Sequence, residues 1–376
     1  MTATPPGPAV GILVPGPWGV GRAVILDYPR GFPPDAIERE LPSPAAARAA
    51  LAGREAALDA MLAARRRDFA PLATNADAGE ALLDRTETAV RLAYARLAMR
   101  HGRLGTDFHA YHNEGHILEI CADRVPRVLA AARPSDLSIE DACALILFGA
   151  GHDLRQREEP FFSTGIGANE RASTEEMLRI LDVSGFDRER ESDLYVALEL
   201  MIAGSTFDAR APGTTYNAAE LVQSGGALAS KLDVKLDKHR PGWRMEPAVV
   251  RGHRLALIAA DLDTANVADP FAAFATNGEN LCREREALSG RSLDAAESAQ
   301  PALKFLTQGQ DLFFFELHRF NSDLGHAAFD AGKEANAPLV KALIVGVRAR
   351  LALGGPPATG RQVIEAYRAV VADLVG

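Results

Sequence analysis

His112 and His116 stand four residues apart in Tyr111-His112-Asn113-Glu114-Gly115-His116, a spacing that puts two side chains on one face of a helix. An adjacent pair, His152-Asp153, follows the apolar run 142–148, and one more carboxylate, Asp261, closes the apolar run 255–260. Imidazole nitrogen and carboxylate oxygen together form a mixed donor set that suits Zn, Mn, Fe, Ni or Co. A divalent ion held there would lower the pKa of its water towards about 7 and make a nucleophile at neutral pH. Simpler roles exist for some of these groups: His112 could brace its own helix, and Asp261 could be an ordinary acidic helix end. For His116, His152 and Asp153 the simpler role is harder to sustain, because a packed core rarely buries three such groups without partners.

The order of these groups resembles the HD metal-dependent phosphohydrolase superfamily, which includes the cyclic-nucleotide phosphodiesterases. The resemblance rests on Tyr-His-Asn-x-x-His at 111–116, His-Asp at 152–153 and Asp261 within Ala-Asp-Leu. Asn169-Glu170-Arg171-Ala172-Ser173, Gly309-Gln310 and His318-Arg319-Phe320 extend it, so that it covers about 80–325. It implies that His116, His152, Asp153 and Asp261 hold one or two divalent ions (Mn, Mg, Ni, Co, Zn or Fe). It also implies that His112 protonates the leaving group; Asp153, beside a ligand histidine, could orient the nucleophile or bridge a second ion. The expected reaction is hydrolysis of a phosphate mono- or diester, the substrate being a small-molecule ester or a nucleotide. Arg155, Arg171, Lys231 and Lys235 are candidate donors to phosphate, and Gln310 and Glu170 are candidates to face the substrate. A carboxylate early in a helix, as Glu170 is, also suits the helix dipole alone.

Two departures limit the resemblance. No His-Pro-Gly follows the His-Asp pair, and Gln308-Gly309-Gln310-Asp311 leaves the register of the Gln-Gly-Asp pattern ambiguous, so cyclic-nucleotide activity is not assigned. Two other readings compete. An HD-fold di-iron oxygenase needs a larger ligand set, which His239 and His253 would extend; a nucleotide-binding or interaction module would keep the fold without turnover. His109 is a further lone histidine.

The elements that must position these groups read as helices. Net charge −9 and pI near 5.6 argue against an extended nucleic-acid surface, while leaving room for a local basic pocket. Cys121, Cys143 and Cys282 form no CxxC and read as buried reduced thiols. With neither a leader pattern nor an apolar run near membrane length, a cytoplasmic protein away from membranes is expected.

Helical composition and spacing run through 43–69, 82–99, 114–132, 139–149, 170–181, 190–202, 228–236, 251–260, 270–288, 302–320, 337–353 and 362–375. The expected architecture is all-α: an N-terminal extension at 1–79, a catalytic unit at 80–325 and C-terminal helices at 326–376. Ser138 and Asp141 form a helix-start pattern. Residues 75–79 read as a linker and Arg65-Arg66-Arg67 as a solvated face. Two β-like runs, 10–14 and 22–26, flank a Gly/Pro-rich turn at 16–21 that lacks the ending of a phosphate loop. In the last helix Val363, Ile364, Tyr367, Val370, Val371 and Leu374 make an apolar stripe, expected to face the core, with a homodimer contact as the alternative.

Overall fold

The structure, a computed structural model, describes residues 31–156, 168–208 and 226–376. The expected β-like runs at 10–14 and 22–26 and the turn at 16–21 lie outside the described residues. The fold is all-α. Helices α1 (Ala36–Glu40), α2 (Pro44–Leu51) and α3 (Ala56–Phe69) lead into α4 (Ala76–Arg100). Next, α5 (Glu114–Leu118) passes through a π-helical turn, Glu119–Arg124, into α6 (Val125–Ala131), before α7 (Ile139–Gly151), α8 (Ala168–Val183) and α9 (Ser192–Ser205). A two-residue strand, β1 (Phe207–Asp208), pairs antiparallel with β2 (Gly226–Ala227). The rest comprises α10 (Leu232–His239), α11 (Pro247–Thr264), α12 (Phe271–Leu288), α13 (Ala299–Lys304), α14 (Asp323–Gly354) and α15 (Gly360–Val375).

Helix α7 is the axis of the bundle. From Ala142 to Gly151 every residue is buried, because α4, α9 and α11 enclose a segment that is apolar on all sides. The Ser138–Asp141 capping box fixes its start, each side chain bonding the other's backbone N–H at 3.2 Å. Arg251 and Arg254 of α11 then grip Asp141 at 2.6 and 2.7 Å. Burial would raise the Asp141 pKa, but Arg251 and the capping N–H outweigh it and hold the carboxyl below its ordinary value. Helix α11 also lies close against α9: a Cβ on Gly252 would come within 2.7 Å of Leu200. The end of α7 is thus held rigidly beside the end of α11.

Several expectations change. The helix expected over 43–69 breaks at Gly53, whose φ of +74° is open to glycine without strain. Residues 75–79 are not a linker: Asn75 caps α4 through the Ala78 N–H at 3.0 Å, and 76–79 form its first turn. Leu51, Leu58, Leu62 and Phe69 join the same hydrophobic core as α7, so α2 and α3 are part of the bundle. Arg66 is no solvated charge either, since its guanidinium bridges Glu80, Asp84 and Glu87 on α4. The helix expected over 337–353 begins at Asp323 and runs through Pro338. Val363, Ile364, Tyr367 and Val370 face the core, as the stripe on α15 indicated, and the three cysteines are buried and unpaired. No helix among the described residues is long and apolar enough to cross a membrane.

The turn into α14 buries His318, with Nε2 at 3.2 Å from Thr264 Oγ1 and Nδ1 at 3.1 Å from Lys333 Nζ. Burial, then the Lys333 charge, pushes this imidazole down to about 3 from its ordinary 6.5. Below 6.5 the unfolded chain therefore takes the proton first. This site's contribution is complete above 6.5 and is lost progressively as pH falls towards about 3. Urea midpoints of wild type and His318→Gln between pH 7.5 and 5 should diverge. The wild type should lose about 1–2 kcal/mol more than the variant, and parallel curves would remove the assignment.

Candidate metal centre

Helix α5 supplies His116. Asn113 caps it, accepting the Gly115 N–H at 2.8 Å and donating to the His109 carbonyl at 2.7 Å. Because the helix begins at Glu114, His112 lies in the turn before it and not on a shared helical face; the two rings are nevertheless 6.2 Å apart. His152 is the C-terminal cap of α7, and Asp153 follows it. The last turn of α11 supplies Asp263.

These side chains converge. His152 Nε2 is 3.0 Å from Asp153 Oδ2 and 3.3 Å from Asp263 Oδ1. His116 Nε2 is 3.3 Å from the same Asp263 oxygen and 3.8 Å from Asp153 Oδ2. His116, His152 and Asp153 each offer a donor atom, all within 4.8 Å of one another. Both ring nitrogens of His152 are buried without a hydrogen-bonded partner, so its contacts are close but not aligned for proton sharing. Burial opposes charge on His152, yet Asp153 and then Asp263 outweigh it and hold the imidazole well above its ordinary value. Asp263 is correspondingly held low by His152 and His116 despite its burial. Two carboxylates thus face two imidazoles, one of which, His152, is held towards its charged form, and a divalent cation would supply positive charge there without protons.

A second layer orients these groups. His116 Nδ1 meets Glu119 Oε2 at 3.3 Å, and Glu119 is held by Arg124 at 3.3 Å and Asn277 at 3.2 Å. Gln156 donates to Asp153 and accepts from Asn169 at 3.2 Å. Glu284 of α12 braces His112: Oε1 lies 2.5 Å from its Nδ1, and Oε2 accepts the backbone N–H groups of Tyr111 and His112 at 2.8 and 3.0 Å. Burial opposes charge on His112, but Asp153 and Glu284 outweigh it and push the imidazole up to about 9. Behind Glu284, His109 stacks on His101 at 3.9 Å and approaches Glu284 Oε1 at 3.4 Å.

Asp261 is not part of this cluster. It is fully buried and accepts the backbone and side-chain N–H groups of Asn321 and the N–H and hydroxyl of Ser322, at 2.6–2.9 Å. Ser322 caps α14, so Asp261 anchors the start of that helix. Two residues along a helix turn a side chain by about 200°, which sends Asp263 to the histidines and Asp261 away from them. The sequence signal was present in Ala260-Asp261-Leu262-Asp263, and only the rotation of α11 separates the two acids. Glu284, within Arg283-Glu284-Arg285-Glu286, carried no signal at all.

Of the expected phosphate donors, Arg155 is buried among Asp35, Glu38 and Glu176, and Arg171 pairs with Glu175 at 2.9 Å and Glu199 at 3.9 Å. Their charges are committed to the fold. Lys235 is buried on α10, and neither it nor Lys231 lines the cleft described below. Glu170, in the first turn of α8, feels the cluster: burial, with added repulsion from Asp153 and Asp263, pushes its carboxyl up to about 7. His253 packs on Trp243 at 5.1 Å, and neither it nor His239 joins a metal-compatible group among the described residues.

A cleft of about 900 Å³ opens beside the cluster, with Tyr111, His112, Asp263 and Thr264 on one wall. Phe207, Phe274, Phe305, Leu312, Phe313 and Leu317 make its apolar surface, and Phe207 and Phe313 meet edge to face at 5.3 Å. Gln308 and Gln310 also line it, with Gln310 Nε2 donating to Tyr367 Oη at 3.1 Å. Among the described residues Arg285 and Lys304 also line the cleft, and nothing in the sequence had singled them out. No family model matches the chain, and a search of curated proteins finds no match.

Proposed function

We propose that the chain is a metal-dependent phosphohydrolase of the HD type, cleaving a phosphate ester whose organic part is largely apolar or aromatic. The observation that carries this reading is the convergence of His116, His152, Asp153 and Asp263 around His152 nitrogens that lack a hydrogen-bonded partner. The donor set fits a divalent ion of the Mn, Fe, Co, Ni or Zn type: two imidazoles and two carboxylates, with His116 oriented from behind by Glu119. When bound, the ion supplies Lewis-acid charge and lowers the pKa of water at the site.

The remaining roles fall to the chain's own groups. His112 stands at the mouth of the cleft with Nε2 4.0 Å from Asp153 Oδ2 and Nδ1 fixed on Glu284. An imidazole fixed on one nitrogen presents the other in a defined direction, which suits proton delivery to a departing alkoxide. The aromatic wall takes the organic part of the ester and excludes water around it.

Hydrolysis of generic mono- and diesters after metal stripping, with Mn, Mg, Ni, Co, Zn or Fe added back, tests the reading. Turnover should require metal and vanish in Asp153→Ala. An inert, metal-replete protein would refute it.

A further inference from the structure

A second cavity, of about 670 Å³, adjoins the cleft between the end of α12, α13, the turn after it and α14. Four cations line it, Arg285, Arg291, Lys304 and Arg348, together with Gln300 and Gln308; among the described residues no carboxylate does. Arg285, Lys304 and Gln308 also line the cleft, so the two spaces share a wall. This grouping stands out in a chain of net charge −9, whose structural arginines, such as Arg96, Arg100 and Arg124, are ion-paired. Arg291 is likewise held by Glu286, at 2.6 Å. Arg285, Lys304 and Arg348 make no ion pair among the described residues, and Arg285 merely lies over the Phe305 ring at 5.3 Å. Unneutralised cations facing one concave space repel each other, and an anion relieves that repulsion.

We propose that this cavity binds a second anionic group of the substrate, a phosphate or polyphosphate remote from the bond being cleaved; its assignment to the substrate rests on the phosphohydrolase reading. Guanidinium and ammonium groups match the acceptor oxygens of phosphate. The shared wall lets one extended ligand use both spaces, with its scissile ester near the histidines, its apolar part among the phenylalanines and its distal anion on Lys304 and Arg348. Esters with two phosphate groups are therefore preferred over those with one.

The test is calorimetric titration of inorganic tripolyphosphate into the full-length Asp153→Asn chain stripped of metal, so that binding is read without turnover. Lys304→Glu and Arg348→Glu, both at exposed positions, should each weaken binding about tenfold or more. Arg350→Glu, exposed on the same helix but outside the cavity and paired with Asp373, should change it less than about twofold. Equal losses in all three variants, or none, would overturn the site. In a second arm, with metal in excess, tripolyphosphate should inhibit ester hydrolysis competitively, and Arg348→Glu should relieve that inhibition. An effect that leaves the KM for the ester unchanged would overturn the assignment to substrate and make a free anion the ligand. Absence of turnover with every ester would strike the hydrolase reading alone, since the titration still decides the site.

Discussion

Asp263→Asn is expected to abolish metal-dependent turnover and to lower bound metal, while Asp261→Ala leaves both near wild type and instead destabilises the fold. The two acids sit two residues apart, yet their surroundings assign different work. Asp263 Oδ1 faces His116 and His152 at 3.3 Å each, so losing its charge removes a donor from the centre of the cluster. The activity loss should exceed the roughly 10–100-fold that outer-shell changes cost. Asp261 accepts four hydrogen bonds from Asn321 and Ser322 in a fully buried setting. Truncation strands those donors and loosens the cap of α14, at about 2–4 kcal/mol. Metal content by elemental analysis, turnover of the folded fraction and urea midpoints separate the two cases. Metal loss in Asp261→Ala with unchanged stability would reverse the assignment.

His112→Gln should lower kcat by about 10²–10⁴ for esters with alkoxide leaving groups, because general-acid catalysis is worth that much. The loss should shrink sharply for nitrophenyl esters, whose leaving group departs without a proton. That dependence separates proton delivery from positioning, since a ring that merely shaped the cleft would cost the same for every leaving group. Glu284→Gln should reproduce the pattern in weaker form, as it releases Nδ1 of the ring while leaving the imidazole in place.

Much of the framework was legible because it depends on local pattern. The all-α architecture, the Ser138–Asp141 cap and the core-facing stripe of α15 follow from periodicity and capping chemistry, which act within a few residues. His116, His152 and Asp153 were legible as a group because their residue types are costly to bury without a common purpose. What local pattern cannot carry is rotation and distance. Asp261 and Asp263 differ only in how α11 is turned, which is set by its packing on α9 and by the grip of Arg251 and Arg254 on Asp141. Glu284 lies 172 positions from His112 and meets it only through tertiary folding. The helix expected over 337–353 starts at Asp323 and passes through Pro338, because Ser322 caps it there and Asp261 holds that cap. Arg155 and Arg171 looked available for phosphate only until Glu38, Glu176 and Glu175 were placed beside them.

The last turn of α11 carries one carboxylate towards the histidines and another into the cap of α14, while its earlier turns are clamped to α7 and α9. A helix fastened on opposite faces can neither roll nor slide without breaking one attachment, so this wall of the cleft is its fixed jaw. For the proposed hydrolase, opening to admit a substrate or release a product would fall to the facing wall, Phe305–Gly309 and Leu312–Leu317, where two π-helical turns interrupt the regular ladder.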